Sequence, residues 1–160
     1  GMIISTRESK RVRERVLELG VSQISGGSKT SVGGYEKPER EDETTSAQFD
    51  TSDKRSLDEI VNWLCSLNFI PSFCTACYRE GRTGDRFMQL CKSGQISNCC
   101  HPNALLTLKE YIQDYASDDT KIKANKLIDK EINNITSAKV KEICKERLSM
   151  IEQGKRDFRF

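Results

Sequence analysis

Cys74 and Cys77 form a C-x-x-C, and twenty-two residues separate Cys77 from Cys100. Three thiolates are one short of closing a four-iron cluster or a tetrahedral zinc site. Such a set leaves one metal position open to an outside ligand. Thr75 and Ala76, inside the C-x-x-C, are small, so both sulfurs reach one ion from a single turn. Cys100 stands at the expected start of a helix. The partial positive charge there favours a thiolate, and free N–H groups can bond to cluster sulfur. Arg79, Arg82 and Arg86 surround the C-x-x-C. They read either as a solvated basic face or as compensation for an anionic cluster or its anionic ligand.

The spacing leaves the metal open. Cys99, Cys100 and His101 are adjacent, so His101 or Cys99 completes a four-ligand zinc site, and sliding the third ligand by one residue gives a trio with Cys99 instead of Cys100. His101 precedes Pro102 and equally suits a helix cap. Iron–sulfur is favoured over zinc. Cys65, Cys91 and Cys144 fall on apolar helix faces and read as core thiols. Seven cysteines is an odd count. It argues against a secreted disulfide framework and for a reducing, cytoplasmic setting.

Two further features carry chemistry more weakly. Ser5 and Arg7 end the first expected strand, the edge at which parallel α/β architectures meet their ligands. An arginine there can grip a carboxylate with two N–H groups. The glycine-rich stretch Gln23–Ser28 follows a strand, and its backbone N–H groups could hold a carboxylate or phosphate. It matches neither a P-loop nor a dinucleotide fingerprint.

The elements that must position these groups follow from periodicity. Met2–Thr6 and Val21–Ser25 read as buried strands. Between them Ser9–Leu19 reads as a helix with Val12, Val16 and Leu19 inward, stopped by Gly20. This βαβ order makes the strands parallel. A two-stranded parallel unit cannot cover both of its faces, so the missing remainder of a larger domain, or a second copy of the chain, is expected against it. After Gly26, Gly27, Gly33 and Gly34, the polar stretch Glu36–Ser52 reads as a linker or loop. Ser56 with Glu59 forms a capping box for a helix with Leu57, Ile60, Val61 and Leu64 inward, ending near Asn68. A helix over Gly84–Ser93 turns Phe87, Leu90 and Cys91 inward. Another starts with Pro102 in its first turn and runs to about Tyr115. Two more carry Ile122, Leu127, Ile128 and Ile132, and Val140, Ile143, Leu148 and Ile151. The fold class is mixed α and β, mostly α: one βαβ unit followed by a small helical bundle. Residues 1–35, 36–55 and 56–160 are the expected βαβ segment, linker and helical domain.

The 160 residues suffice for a modest core. Lys and Arg outnumber Asp and Glu by 26 to 24, a net charge of +2. That balance gives no pull toward nucleic acid or a membrane surface. No apolar run is long enough to span a bilayer, and the N-terminus lacks a signal-peptide stretch.

The runs MIISTRES, VSQISGGSKTSVGGY and FDTSD, and above all CTACYR, GRTGDRFM and NCCHPNAL, resemble the C-terminal part of the radical-SAM tyrosine lyases that mature [FeFe]-hydrogenase. The resemblance covers roughly residues 1–118. The related 2-iminoacetate synthase of thiamine biosynthesis has a differently spaced cysteine set. The resemblance implies that the βαβ unit is the end of a radical-SAM barrel. It further implies that Cys74, Cys77 and Cys100 hold an auxiliary [4Fe–4S] cluster carrying an extra iron, and that Arg7, with Ser5 beside it, helps hold the tyrosine carboxylate. In the parent enzyme, tyrosine is split to p-cresol and dehydroglycine. The latter yields carbon monoxide and cyanide for the hydrogenase cluster, with the other maturation proteins as partners. The histidine that binds the extra iron lies further upstream in the family, so His101 is not its counterpart. The C-x3-C-x2-C of the S-adenosylmethionine cluster is absent here. This chain alone is therefore expected to bind metal without turnover, with S-adenosylmethionine serving only the full-length parent. The rival reading is a structural zinc module that holds helices together for protein interaction.

Overall fold

The computed structural model describes residues 2–30, 34–35 and 50–160. The chain divides into two compact units, Gly1–Ile60 and Val61–Phe160. The expected linker falls, over residues 36–49, outside the described residues, as does Gly33.

In the first unit, β1 (Ile3–Ile4) and β2 (Gln23–Ile24) pair in parallel, with Ile3 opposite Gln23 and Ile4 opposite Ile24. Helix α1 (Lys10–Glu18) connects them, as the βαβ pattern requires. Both strands are shorter than the apolar runs that announced them. The Thr6 carbonyl is taken instead by the Asp53 N–H at 2.9 Å, which ends the ladder on that side. The Ser9 hydroxyl caps α1 by accepting from the Val12 N–H, and the helix stops before Gly20 as expected.

The buried face of α1 differs from the expected one. Arg13 and Leu17 point inward, while Val12 is exposed and Leu19 is 84% exposed. The reason is polar. The Arg13 guanidinium donates to the Asp53 carboxylate and to the Ser25 carbonyl. With Arg13 inward, the residue four further on, Leu17, must face inward too.

Helix α2 (Leu57–Ser66) opens with the capping box in place. The Ser56 N–H donates to Glu59 Oε2 at 2.7 Å, and the Glu59 N–H donates to Ser56 Oγ at 3.3 Å. Ile60 is buried as expected, but Leu57 is exposed. In the second unit Val61, Leu64 and Cys65 are buried, joined by Trp63. The helix ends at Ser66, and Asn68 in the turn beyond takes a positive φ of 62°. Asparagine tolerates that conformation better than most side chains.

Next come α3 (Ala76–Arg79), α4 (Gly84–Lys92) and α5 (Ser97–Asp114). They are followed by α6 (Asp118–Glu131), a 3-10 turn (Ile132–Asn134) and α7 (Ala138–Glu152). Helix α5 is central and packs on α6 and α7. Its Leu105, Leu106, Leu108 and Ile112 meet Ala124, Leu127 and Ile128, with Cys144 and Ile151 from α7. Each fully buried leucine contributes about 1.5–3 kcal/mol, so this set anchors the bundle. Ile122, expected inward, is 70% exposed. The buried stripe of α6 instead runs through Thr120, Ala124, Leu127 and Ile128. The face of α4 is only half-buried at Phe87, Leu90 and Cys91. Among the described residues, no helix is long and apolar enough to cross a membrane.

Candidate metal centre

The C-x-x-C leads into the single turn of α3, which carries Cys77. Cys74 precedes it, and Cys74 Sγ accepts the Ala76 N–H at 3.4 Å, so a sulfur serves one of the helix's orphan donors. Ala76 is buried and Cys77 is half-buried. The turn closes through Gly81, whose φ of +62° suits glycine. The Gly81 N–H returns to the Tyr78 carbonyl at 3.4 Å and the Arg82 N–H to the Cys77 carbonyl at 2.8 Å. Arg82 is thereby folded back onto Cys77.

Helix α5 brings up the other cysteines. It starts five residues ahead of Pro102, not in the turn that holds it, so Cys99, Cys100 and His101 are already helical. This corrects the expectation of free amides at Cys100. The N–H groups of Cys99 and Cys100 both donate to the Ile96 carbonyl, at 3.0 and 2.8 Å. The Cys100 thiol is also pushed up from its ordinary range, not down. Partial burial of the thiol is the main cause, followed by the sulfurs of Cys77, Cys74, Cys99 and Cys91. Cys100 itself is exposed, and the four other sulfurs lie within electrostatic range of it. Further along α5, the Phe73 N–H donates to Thr107 Oγ1 at 3.2 Å, and the Phe73 ring stacks on Tyr111 at 4.8 Å. The segment entering Cys74 is thus tied to the helix that carries Cys100.

The other thiols separate into two kinds. Cys65 and Cys144 are buried, as expected, and burial pushes both thiols up to about 11. Cys91 is half-buried beside the other sulfurs, so it is not the core thiol the sequence suggested. His101 Nε2 faces Glu131 Oε2 at 3.4 Å.

The three arginines also separate. Arg79 makes a two-pronged pair with Asp157, including NH2 to Oδ2 at 2.8 Å. Arg86 reaches the Glu80 carbonyl at 3.4 Å. Arg82 turns toward the cysteines and donates to Cys99 Sγ at 3.4 Å and to the Phe160 carbonyl at 2.6 Å. Residues 154–160 lie across this region as a strap. Arg159 pairs with Glu80 at 2.7 Å, and the Asp157 N–H donates to Glu110 at 2.8 Å. The Phe160 N–H donates to Asn103 Oδ1 at 2.8 Å, and Arg147 covers the Phe160 ring at 4.3 Å.

The chain matches the family model for the "Biotin and Thiamin Synthesis associated domain" over residues 1–70. It also matches a solved structure titled "Crystal structure of HydG: A maturase of the [FeFe]-hydrogenase" at 51% identity with a TM-score of 0.90. The match covers all of this chain and 34% of that one. The chain resembles part of the maturase HydG. It spans about a third of that protein's length. No curated protein matches it.

Whether this HydG-like segment suits a thiophilic metal centre turns on its donor set. Among the described residues, no group of three or more His, Cys, Asp or Glu side chains is arranged to hold a metal ion. The sulfurs are gathered without converging. One observation fits an anionic group among them. Thiolates are the donors that iron–sulfur clusters take. Arg82 Nε is buried with no hydrogen-bond partner among the described residues, and a buried N–H without an acceptor is uncommon in folded proteins.

In the first unit of the HydG-like segment, Ser5 follows β1, and its Oγ accepts the Arg7 N–H at 3.2 Å. Arg7 is exposed. The glycine-rich stretch has a packing role. Gly27 has a φ of +63°, and a Cβ there would stand 3.1 Å from the Leu57 nitrogen. What sequence reasoning missed is the buried pair Arg13 and Asp53, with the half-buried Arg55 beside it. Arg55 grips Asp53 with Nε at 2.8 Å and NH2 at 2.6 Å. Asn103 was missed as well, although its spacing of four from Cys99 places the two on one face of α5.

Proposed function

We propose that this chain is the auxiliary-cluster region of a HydG-like radical-SAM maturase. Cys74, Cys77 and Cys100 hold a [4Fe–4S] cluster in this reading. The observation that carries it is the match of the whole chain to part of HydG at 51% identity, with the Cys74 segment tied to the helix of Cys100 through Phe73, Thr107 and Tyr111. When bound, such a three-thiolate cluster supplies an iron with an open position and Lewis-acid character, able to bind a small ligand or an extra iron. The chain's own residues do the rest. Cys74 and Cys77 come from one turn, α5 delivers Cys100, and the strap of residues 154–160 covers the region on which Arg79 and Arg82 sit.

The βαβ unit is read as the end of a radical-SAM barrel whose remainder is a partner of this segment. In the whole maturase, Arg7 and Ser5 sit where a substrate carboxylate binds, and carbon monoxide and cyanide from tyrosine are the ligands that the open iron receives. The partners are then the other hydrogenase maturation proteins, in the cytoplasm. By itself the segment binds the cluster without turnover.

Anaerobic reconstitution followed by iron, sulfide and zinc analysis tests this. Cys77→Ser is expected to abolish iron–sulfur incorporation, and Cys65→Ser to leave it intact. Equal loss in both variants, or stoichiometric zinc without sulfide in the native chain, would overturn the assignment.

A further inference from the structure

Helix α7 ends at Glu152, and Gly154 then turns the chain back with a φ of +91°. From there residues 155–160 belong to no helix or strand. The Lys155 N–H still donates to the Met150 carbonyl at 3.0 Å. Beyond it the Asp157 and Phe160 amides donate to side chains, Glu110 and Asn103, both at 2.8 Å. The ion pairs along the segment are partly open to solvent: Arg156 with Asp114, Asp157 with Arg79, and Arg159 with Glu80. Phe158 and Phe160 rest against the core. At its far end the segment reaches a cysteine. The Phe160 carbonyl accepts from Arg82 at 2.6 Å, and the same guanidinium donates to Cys99 Sγ at 3.4 Å. Asn103, which holds the Phe160 amide, is buried one turn after Cys99 on α5.

We infer that residues 155–160 are a hinged strap whose closed position clips the Cys77–Arg82 turn to α5 and, through Arg82, caps Cys99. The hinge is Gly154, whose left-handed φ suits glycine. Its surroundings are open, with nothing within 4 Å of where a Cβ would stand. The contacts of the strap fall on two elements. Arg79, Glu80 and Arg82 belong to the turn that follows Cys77, and Asn103, Glu110 and Asp114 belong to α5. One short segment therefore joins the two parts of the chain that carry the cysteines. The manner of attachment makes it releasable. Side-chain bonds and exposed ion pairs, in place of a backbone ladder, let a segment open while the core stays folded, and such pairs weaken as salt screens them. When the strap lifts, Arg82 loses its carbonyl acceptor and Cys99 loses the guanidinium that is held over it. The inference concerns access to a thiol and stands apart from the cluster reading above.

The test compares the reduced, desalted chain with a form shortened to end at Gly154 and with the double variant Asp157→Ala, Arg159→Ala. Each is pulsed with iodoacetamide, and the labelling rate of every cysteine is read by tandem mass spectrometry. Without the strap, Cys99 is expected to react about tenfold faster, since opening no longer gates the reaction. Exposed Cys100 should change little, and buried Cys65 should stay unlabelled. The double variant should show a smaller acceleration at Cys99. Raising sodium chloride should speed Cys99 in the full chain and not in the shortened one. Equal Cys99 rates in the full and shortened chains, with Cys65 still protected, overturn the inference. So does an acceleration of Cys100 as large as that of Cys99. If the shortened chain labels at Cys65, its fold is lost and the double variant decides, a Cys99 rate unchanged there overturning the inference in the same way. The proposed function is decided separately, by iron and sulfide content, so the two failures are distinguishable.

Discussion

Arg13 and Asp53 form an ion pair closed off from solvent, with side chains 0% and 2% exposed. A basic helix residue has been drawn into the interior because a carboxylate forty positions later waits there with the Ser25 carbonyl. Arg55 adds a second cation on Asp53, and the Ser25 carbonyl a second acceptor for Arg13. Asp53→Ala leaves a buried guanidinium without its counter-charge and should cost about 3–5 kcal/mol. Urea denaturation measures this. The double variant Arg13→Met, Asp53→Leu should recover most of the loss.

The same pair predicts an acid limb. The Arg55 guanidinium, bonded to the Asp53 carboxylate, holds it down at about 2, against an ordinary value of 3.8, with Arg13 adding to the effect. The folded state thus binds fewer protons than the unfolded state between those values. The stabilisation is complete above pH ~4 and is lost as pH falls toward ~2, a difference of about 2 kcal/mol from this group. Denaturation midpoints that stay level between pH 5 and pH 2 (a window of roughly this width) would contradict it.

Thiol chemistry should divide the cysteines. Burial pushes Cys65 and Cys144 up to about 11, and both are closed off from reagents. Iodoacetamide at neutral pH is expected to label neither in the folded chain, while labelling occurs among Cys74, Cys77, Cys91, Cys99 and Cys100. Peptide mapping before and after denaturation separates the two sets.

The first unit presents apolar surface with nothing against it among the described residues. Met2 is 73%, Ile3 65% and Leu19 84% exposed, and the sheet has two strands among the described residues. The isolated chain is expected to self-associate with rising concentration, as read by light scattering. Substituting Ile3 and Leu19 with lysine should suppress the association.

The legibility of the chain varied by the kind of information each element needs. The βαβ unit, the Ser56–Glu59 capping box and the ends of α1 and α4 were readable because each rests on residues within a few positions of one another. The start of α5 was misplaced because Pro102 suits a first turn, and the sequence gives no sign that the turns from Gly94 to Cys99 feed a longer helix. The inward face of α1 was misassigned because hydrophobic periodicity assumes that an apolar face is buried, and a remote carboxylate overruled it.

By itself the sequence determined which donors exist and which lie close along the chain: Cys74 three residues from Cys77, Cys99 next to Cys100, and arginines around them. Tertiary structure alone decided which arginine turns to the sulfurs, that Cys91 is only half-buried, and that residues 154–160 bond to Glu80, Arg82 and Asn103. Those outcomes depend on contacts between residues as far apart as Arg82 and Phe160. Local propensity and spacing do not encode such pairings; only the packing of α5 against α6 and α7 brings them within reach.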